Sequence, residues 1–155
     1  MGNSIKFMVF SLEDQKYALS LSRVEKVIRS VEITALPKAP EIVSGVIDMQ
    51  GRIVPVFNVR KRFRLPEKEI GPEDHMIVAK AFSRMVSFWV DRVEGIIEWP
   101  PDRIIPKRDI HPEMEYVEGV IKLENGMVFI HDLDRFLSPQ EKTELDSALK
   151  KAEKE

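Results

Sequence analysis

Two stretches of the chain, GVIDMQGRIVPVFNVRKRF (Gly45–Phe63) and GVIKLENGMVFIHDLDRFL (Gly119–Leu137), follow one plan. Each opens on Gly-Val-Ile, passes a glycine-bearing turn, runs on through branched apolar residues and closes on Arg-Phe. Alternating, branched-rich runs either side of such a turn read as β-hairpins. Asn125-Gly126 is the stronger turn signal, because both central residues of the tight hairpin turn need positive φ. Gln50-Gly51 fits less well, since glutamine rarely takes that conformation.

The likeness extends outward. SRVEKVI (Ser22–Ile28) aligns without gaps on DRVEGII (Asp91–Ile97), offset by 69 residues, and the same offset carries Leu36-Pro37 onto Ile105-Pro106. VSGVIDM (Val43–Met49) aligns on VEGVIKL (Val117–Leu123) at an offset of 74, so the second copy has gained five residues between the blocks. Loops absorb such insertions readily. Several matches in the same order make an internal duplication, and a duplication constrains the fold more than any local propensity.

Further strands are expected at Ile5–Leu12 and Lys16–Leu21, joined at EDQ, and at Met76–Phe82 and Met85–Val90, joined at SR. Val24–Ile28 and Val93–Ile97 read as short strands. After Leu137 the period changes to that of a helix. Ser138 can cap it, Pro139 suits its first position and Glu141 completes a capping box, with Leu145, Ala148, Leu149 and Ala152 on one face. LPEKEIGPEDH (Leu65–His75) reads as a linker. The expected fold is all-β: two similar five-stranded small β-barrels packed together, with residues 1–68 as the first barrel half, 69–137 as the second and 138–155 as a C-terminal helix, in one compact unit.

At 155 residues, 43% hydrophobic and 32% charged, the chain has the composition of a folded domain and can bury about 68–70% of its unfolded surface. It has no cysteine, which excludes disulfides, Cys-ligated zinc and thiol chemistry. Its net charge of -2 gives no global attraction to nucleic acid or anionic lipid. Ile53–Val59, the longest uncharged apolar run, is far below the ~18 residues of a membrane span. Lys6, Glu13, Asp14 and Lys16 interrupt any signal-peptide core, so a cytoplasmic location is expected.

No enzyme constellation emerges. His75, His111 and His131 lack metal-ligand spacing, and no Gly-rich phosphate loop, G-x-S-x-G or H-E-x-x-H occurs. His131 and Asp132 could sit near a cation, but a turn after a strand explains HDLD more simply; His111 beside Glu113 and Glu115 reads as a solvated loop. Arg52, Arg60, Lys61, Arg62 and Arg64, with Phe57 and Phe63 among them, admit a single-stranded nucleic-acid barrel, against the simpler reading of a solvated short helix with cations at its C-terminal end. Ile53, Phe57 and Phe63 could meet a partner helix or fill the core; Trp99 could anchor an interface or pack on the neighbouring prolines. Pro55 cannot donate to a ladder, so an edge strand or a bulge is expected there, serving either to protect the edge or to dock a partner.

These stretches together resemble the CheW family of chemotaxis coupling proteins over nearly the whole chain. FMVFSLEDQKYALSLSRVEKVIR is similar to that family's opening strand pair and V-x-E-I. ITALPKAPEIVSGVIDMQGRIVPVFNVRKRF is similar to its L-P-x-x-P-x-x-V-x-G-V-x-N-L-R-G-x-I-x-P-V-x-D-L-R-x-x-F stretch. MVSFWVDRVEGII looks like its V-G-x-x-V-D-x-V, and YVEGVIKLENGMVFIHDLDRFL like its closing motif. The resemblance implies two five-stranded barrels sharing a hydrophobic seam, with no catalysis and no cofactor. It implies an adaptor between chemoreceptor cytoplasmic tips and the regulatory domain of a CheA-type histidine kinase, with Val24, Gly45 and Gly51 at partner interfaces. Barrel ends would meet the kinase, and a groove would receive the receptor hairpin. Three positions depart from the pattern: Gln50 stands for Arg, Lys26 for Glu and Ser87 for Gly. They leave room for a diverged scaffold of another chemosensory-like pathway, since a changed charge at a contact selects a different partner.

Overall fold

The computed structural model describes residues 3–110 and 115–153. His111 and Glu113 lie outside the described residues. The elements are β1 (Ile5–Leu12), β2 (Gln15–Ser20), β3 (Val24–Arg29), β4 (Val43–Met49), β5 (Arg52–Phe57), α1 (Val59–Arg62), β6 (His75–Ala81), β7 (Arg84–Val90), β8 (Arg92–Trp99), β9 (Ile105–Pro106), β10 (Val117–Leu123), β11 (Gly126–His131) and α2 (Pro139–Glu153). The expected strands are present with ends moved by a residue or two. The turn expected at SR sits one residue earlier, on Phe82 and Ser83, both at positive φ (56° and 61°).

The strands form two mainly antiparallel sheets, in the orders β8-β1-β2-β11-β10-β9 and β3-β6-β7-β5-β4. Each sheet draws on both sequence halves, so the boundary at 68/69 marks the duplication and does not separate the sheets. Hairpin β1-β2 joins the strands of the second half, and hairpin β6-β7 joins β3, β4 and β5 of the first. Matching β1-β2 to β6-β7, β3 to β8 and β4-β5 to β10-β11 reproduces one order in both sheets: the chain is a duplication whose N-terminal hairpins are exchanged. The Leu65–His75 stretch therefore links β5 and β6 of a single sheet. The chain changes sheets at Leu21–Arg23 and at Asp91, beside the repeated Arg-Val-Glu, a crossing that keeps sequential hairpins intact.

Each sheet curls until its end strands meet. Ile105 and Pro106 pair with Val120 and Gly119 across one closure, and Thr34 bridges Val46 across the other, with Thr34 N donating to Val46 O (2.9 Å) and Val46 N to Thr34 O (2.7 Å). One barrel encloses Phe7, Val9, Ala18, Ile121, Val128 and Ile130; the other encloses Ile47, Val54, Val56, Met76 and Trp89. The largest apolar cluster lies between them and takes in Phe10, Leu19, Phe57, Phe88 and Phe136, with Leu145 and Leu149 of α2 packed on it. This is a shared hydrophobic seam. The helix starts as its sequence indicates: Glu141 N donates to Ser138 Oγ (3.1 Å) and Ser138 N to Glu141 Oε1 (2.9 Å).

The turns reverse their expected ranking. Gln50 (φ 55°) and Gly51 (φ 88°) both take positive φ between the paired Met49 and Arg52, and Gly51 N donates to Asp48 Oδ1 (2.8 Å). In the other hairpin Leu123 pairs with Gly126, so the turn is Glu124-Asn125; positive φ falls on Gly126 (146°) at the strand's start. Register, set by which side chains must enter the barrel, overrides the Asn-Gly preference.

Pro55 is also placed differently from expectation. It lies on β5, an interior strand between β7 and β4, and is buried. Val46 spends its N–H and C=O on Thr34, so its partner Pro55 turns its own backbone nitrogen toward β7. The parallel β5-β7 ladder consists of Val56↔Ser87 and Phe57↔Phe88 only, because the next rung would need an N–H from Pro55. In the other barrel Phe129 occupies the equivalent position, and the β11-β2 ladder runs on through Phe129↔Tyr17 and Val128↔Lys16.

Candidate functional site: hairpin tips, barrel crossings and an open barrel wall

The residues expected at interfaces have unequal access. Gly51 is exposed at the tip of β4-β5, and no atom lies within 4 Å of where a Cβ would stand. Val24 is half-buried at the start of β3 and packs on the seam. Gly45 is buried under the closing segment: a Cβ there would meet Thr34 O at 2.3 Å and Ile33 Cγ2 at 2.6 Å, at a φ of +153°. Its repeat partner Gly119 plays the same part beneath Ile104 and Ile105, with more space (2.8 and 3.1 Å). The glycine of Gly-Val-Ile thus lets the closing strand approach. Gly45→Ala is expected to lower the unfolding free energy by about 3 kcal/mol or more, since backbone must move, against about 1 kcal/mol for Gly119→Ala, as urea denaturation of both variants can measure.

Of the three departures from the family pattern, Gln50 and Lys26 are exposed and available to a partner. Ser87 is fully buried in β7 with its hydroxyl unpartnered, so its effect is on the interior.

The basic stretch is largely committed internally. Arg60 is 2% exposed, a departure from the solvated helix expected there. Its Nη2 donates to both Asp91 carboxylate oxygens (2.6 Å), and its Nη1 to Glu13 Oε1 (2.5 Å) and Pro66 O (2.9 Å). Asp91 also accepts from Glu13 N (2.7 Å) and lies 3.5 Å from Lys68 Nζ, which donates to Asp74 Oδ1 (2.7 Å). Asp74 further accepts from Gly71 N (2.8 Å) and Trp89 Nε1 (2.9 Å). Burial pushes the Asp91 and Asp74 carboxyls upward, but these donors and cations outweigh it and hold both below the usual carboxylate range. Arg62 hydrogen-bonds Glu141 and the Phe136 carbonyl, and Lys61 donates to Glu41 O (3.1 Å). At the other crossing Asp134 stands at the place of Arg60, but the repeat puts Ser22 at that of Asp91, and Asp134 pairs instead with the next residue, Arg23 (3.0 Å), toward solvent.

The aromatic candidates are mostly structural. Phe57 is fully buried, Phe63 stacks on Tyr17 (4.3 Å between ring centroids), and Ile53 is half-buried. Trp99 is half-buried against one barrel interior, donates to Arg103 O (3.2 Å) and carries the Arg103 guanidinium over its ring (5.0 Å). Asp132 caps the turn after β11 by accepting from Asp134 N (3.1 Å), while His131 is buried in the seam with both ring nitrogens unpartnered. No group of three or more His, Cys, Asp or Glu among the described residues could hold a metal ion, and no helix among them is long and apolar enough to cross a membrane.

Sequence reasoning missed one feature. A cavity of about 840 Å³ lies among the starts of β5 and β7 and the end of α2, lined by Ile53, Val54, Met85 and Ala152, with Arg52, Lys80, Arg84 and Glu153 also bordering it. Only Pro55 signalled it.

Exchanged hairpins, a common seam and an exposed hairpin tip define a double-barrel binding module, whose working parts are surfaces. The chain belongs to the CheW-like domain family, whose model matches residues 6–141. It is 24% identical over 147 residues to the chemotaxis protein CheW of Klebsiella aerogenes (94% of this chain, 89% of that protein) and 28% identical over 142 residues to that of Bacillus subtilis (87% and 88%). It is 27% identical to the protein FrzA of Myxococcus xanthus (83% and 81%). Among solved structures it is similar to the scaffolding protein TtCheW of Thermoanaerobacter tengcongensis, with a TM-score of 0.78 and 28% identity over 85% of this chain and 91% of that one.

Proposed function

We propose that this chain is a non-catalytic cytoplasmic adaptor that couples chemoreceptor cytoplasmic tips to the regulatory domain of a CheA-type histidine kinase and so modulates kinase activity. The observation that carries the reading is the family match over residues 6–141, on a fold with two pseudo-equivalent barrels. Two related barrels give one small protein two related surfaces, which suits a scaffold joining two partners. The exposed β4-β5 tip, with Gln50 and Gly51, is the surface we assign to the kinase.

The test is a calorimetric titration against the purified regulatory domain of the CheA-type kinase encoded in the same genome. Gly51→Asp is the appropriate variant: aspartate tolerates positive φ and the site is open, so the fold survives at about 1 kcal/mol. Gly45→Asp would confound binding with unfolding. Saturable binding, weakened at least tenfold by Gly51→Asp, supports the reading; no binding by the folded wild type overturns it.

A second reading, a scaffold of another chemosensory-like pathway, draws on the exposure of Gln50 and Lys26, where a partner would read the changed charges. Binding to a standard receptor tip as tight as that of a typical coupling protein would refute it.

A further inference from the structure

The two barrels are alike in order and register but differ in one wall. At the β11-β2 contact the parallel ladder has three rungs; at β5-β7 it stops after two, and the strands part toward their turns. Both flanking turns have two residues, so Met49↔Arg52 and Ala81↔Arg84 are hydrogen-bonded pairs. By alternation, Ile53 and Met85 aim their N–H and C=O groups away from their hairpin partners and into the gap between β5 and β7. No backbone hydrogen bond outside the strand ladders reaches either residue among those described. In the other barrel the gap is shut by Phe129↔Tyr17 and Val128↔Lys16, and the Gln15 side chain caps Met127 O (3.0 Å).

We propose that this proline-opened gap is a docking site for a short extended segment of a protein partner, alternating apolar and acidic residues, which adds rungs to the ladder that Pro55 interrupts. The proposal goes beyond the adaptor reading and does not rest on it. Three observations select the occupant. The facing backbone groups of Ile53 and Met85 call for a peptide backbone, which a lipid or a packed helix cannot supply. The inner wall, Val54 and Met85, faces the barrel interior and suits an apolar side chain. The rim suits acidic ones: Arg52 is exposed, the Lys80–Glu25 pair (3.0 Å) is solvated, and Arg84 bonds Asp146 (2.6 Å), while among the described residues Glu153 is the one acid lining the cavity. The strands are about 4.8 Å apart at the last rung and would need about twice that to admit a strand, so the wedge holds the end of a segment, about two to three residues.

The probe is a synthetic pentapeptide of alternating valine and glutamate, blocked at both ends, titrated into the isotope-labelled full chain while amide resonances are followed by NMR. We expect saturable shifts centred on Ile53, Val54 and Met85, absent with the lysine counterpart. Arg52→Glu should weaken binding at least tenfold. Pro55→Val restores the missing N–H; it should close the wall as Phe129 closes the other barrel, giving slow hydrogen exchange at residue 55 and no peptide binding. Absence of saturable shifts at millimolar peptide overturns the proposal. So do equal shifts with the lysine peptide, or the same shifts with dodecanoate alone, which would make the gap an apolar pocket. A Pro55→Val protein that folds and still binds would equally overturn it.

Discussion

Arg60→Met is expected to lower the free energy of unfolding by about 3–5 kcal/mol, the range found when one partner of a buried ion pair is removed. The guanidinium holds together the β1-β2 turn at Glu13, the crossing at Asp91 and the carbonyl of Pro66, so its donors satisfy three separate segments. Methionine replaces the stem but leaves Asp91, its side chain 20% exposed, facing Glu13 with only Lys68, 3.5 Å away, to offset its charge. The ion pair at the other crossing provides the control. Asp134→Asn breaks Arg23–Asp134, whose side chains are 34% and 75% exposed, and should change stability by less than about 1 kcal/mol. Urea denaturation of the two variants beside wild type decides the matter: similar losses would mean that burial does not set the strength of these crossings. The asymmetry also has a pH signature. Asp91 and Asp74 have depressed folded pKa values, so the stability they contribute is present above the ordinary carboxylate pKa of about 3.9 and is lost as pH falls through their folded values. Arg60→Met should reduce the Asp91 share of that acid loss, leaving the part held by Glu13 N–H and Lys68.

Much of this architecture is legible in the sequence, because strands and helix caps are local. The β-favouring run Ile5–Leu12 and the Ser138/Glu141 box each need only a few neighbouring residues, and both stand in the structure as written. The exchange of hairpins is different. The duplication at offsets of 69 and 74 shows that two copies exist, but pairing β1 with β8 or β11 with β2 is a long-range choice that no local pattern carries. The Pro/Gly-rich Leu65–His75 stretch marks a loop, and loops within a sheet read the same as loops between sheets. Arg60 was hidden by its company: in Arg60-Lys61-Arg62 the buried cation has the same sequence signal as its half-buried neighbours, and only Asp91, across the repeat, distinguishes it. Gly45 was hidden in another way, since a motif glycine beneath a closing strand and one at an exposed tip look identical until the Thr34 carbonyl is placed. Pro55 was legible as an interruption, but its direction depends on Val46 being spent on Thr34.

His131 should make the protein lose stability between pH 6.5 and 4.5, and His131→Leu should remove that loss. The imidazole sits in the seam among the rings of Phe136, Phe63 and Phe88, with centroids 4.9, 5.4 and 5.4 Å away, and both of its nitrogens lack a partner. Its repeat equivalent is Phe57, an apolar ring in the same seam. Burial disfavours the charged ring and pushes its pKa down to about 3. Above the ordinary value of 6.5 folded and unfolded chains both carry neutral imidazole, so this residue adds no pH dependence. Below it the unfolded chain binds a proton that the folded chain refuses. The unfolding free energy then falls by about 1.4 kcal/mol per pH unit, or about 2–3 kcal/mol by pH 4.5. The depressed carboxylates Asp74, Asp91 and Glu141 act at lower pH, while Glu118, its carboxyl pushed up by burial and by Asp132 and Asp134, opposes the histidine by taking a proton in the folded chain, so the difference between wild type and His131→Leu isolates the histidine's share. Leucine has no proton to gain and no buried nitrogen to leave unsatisfied, so the variant should also gain about 1–2 kcal/mol at neutral pH. Urea denaturation of both proteins at pH 7.5, 6.5, 5.5 and 4.5 gives the difference directly. Parallel curves would show that the seam admits the protonated ring, and with it water, as the one means by which a charge could be tolerated between the barrels.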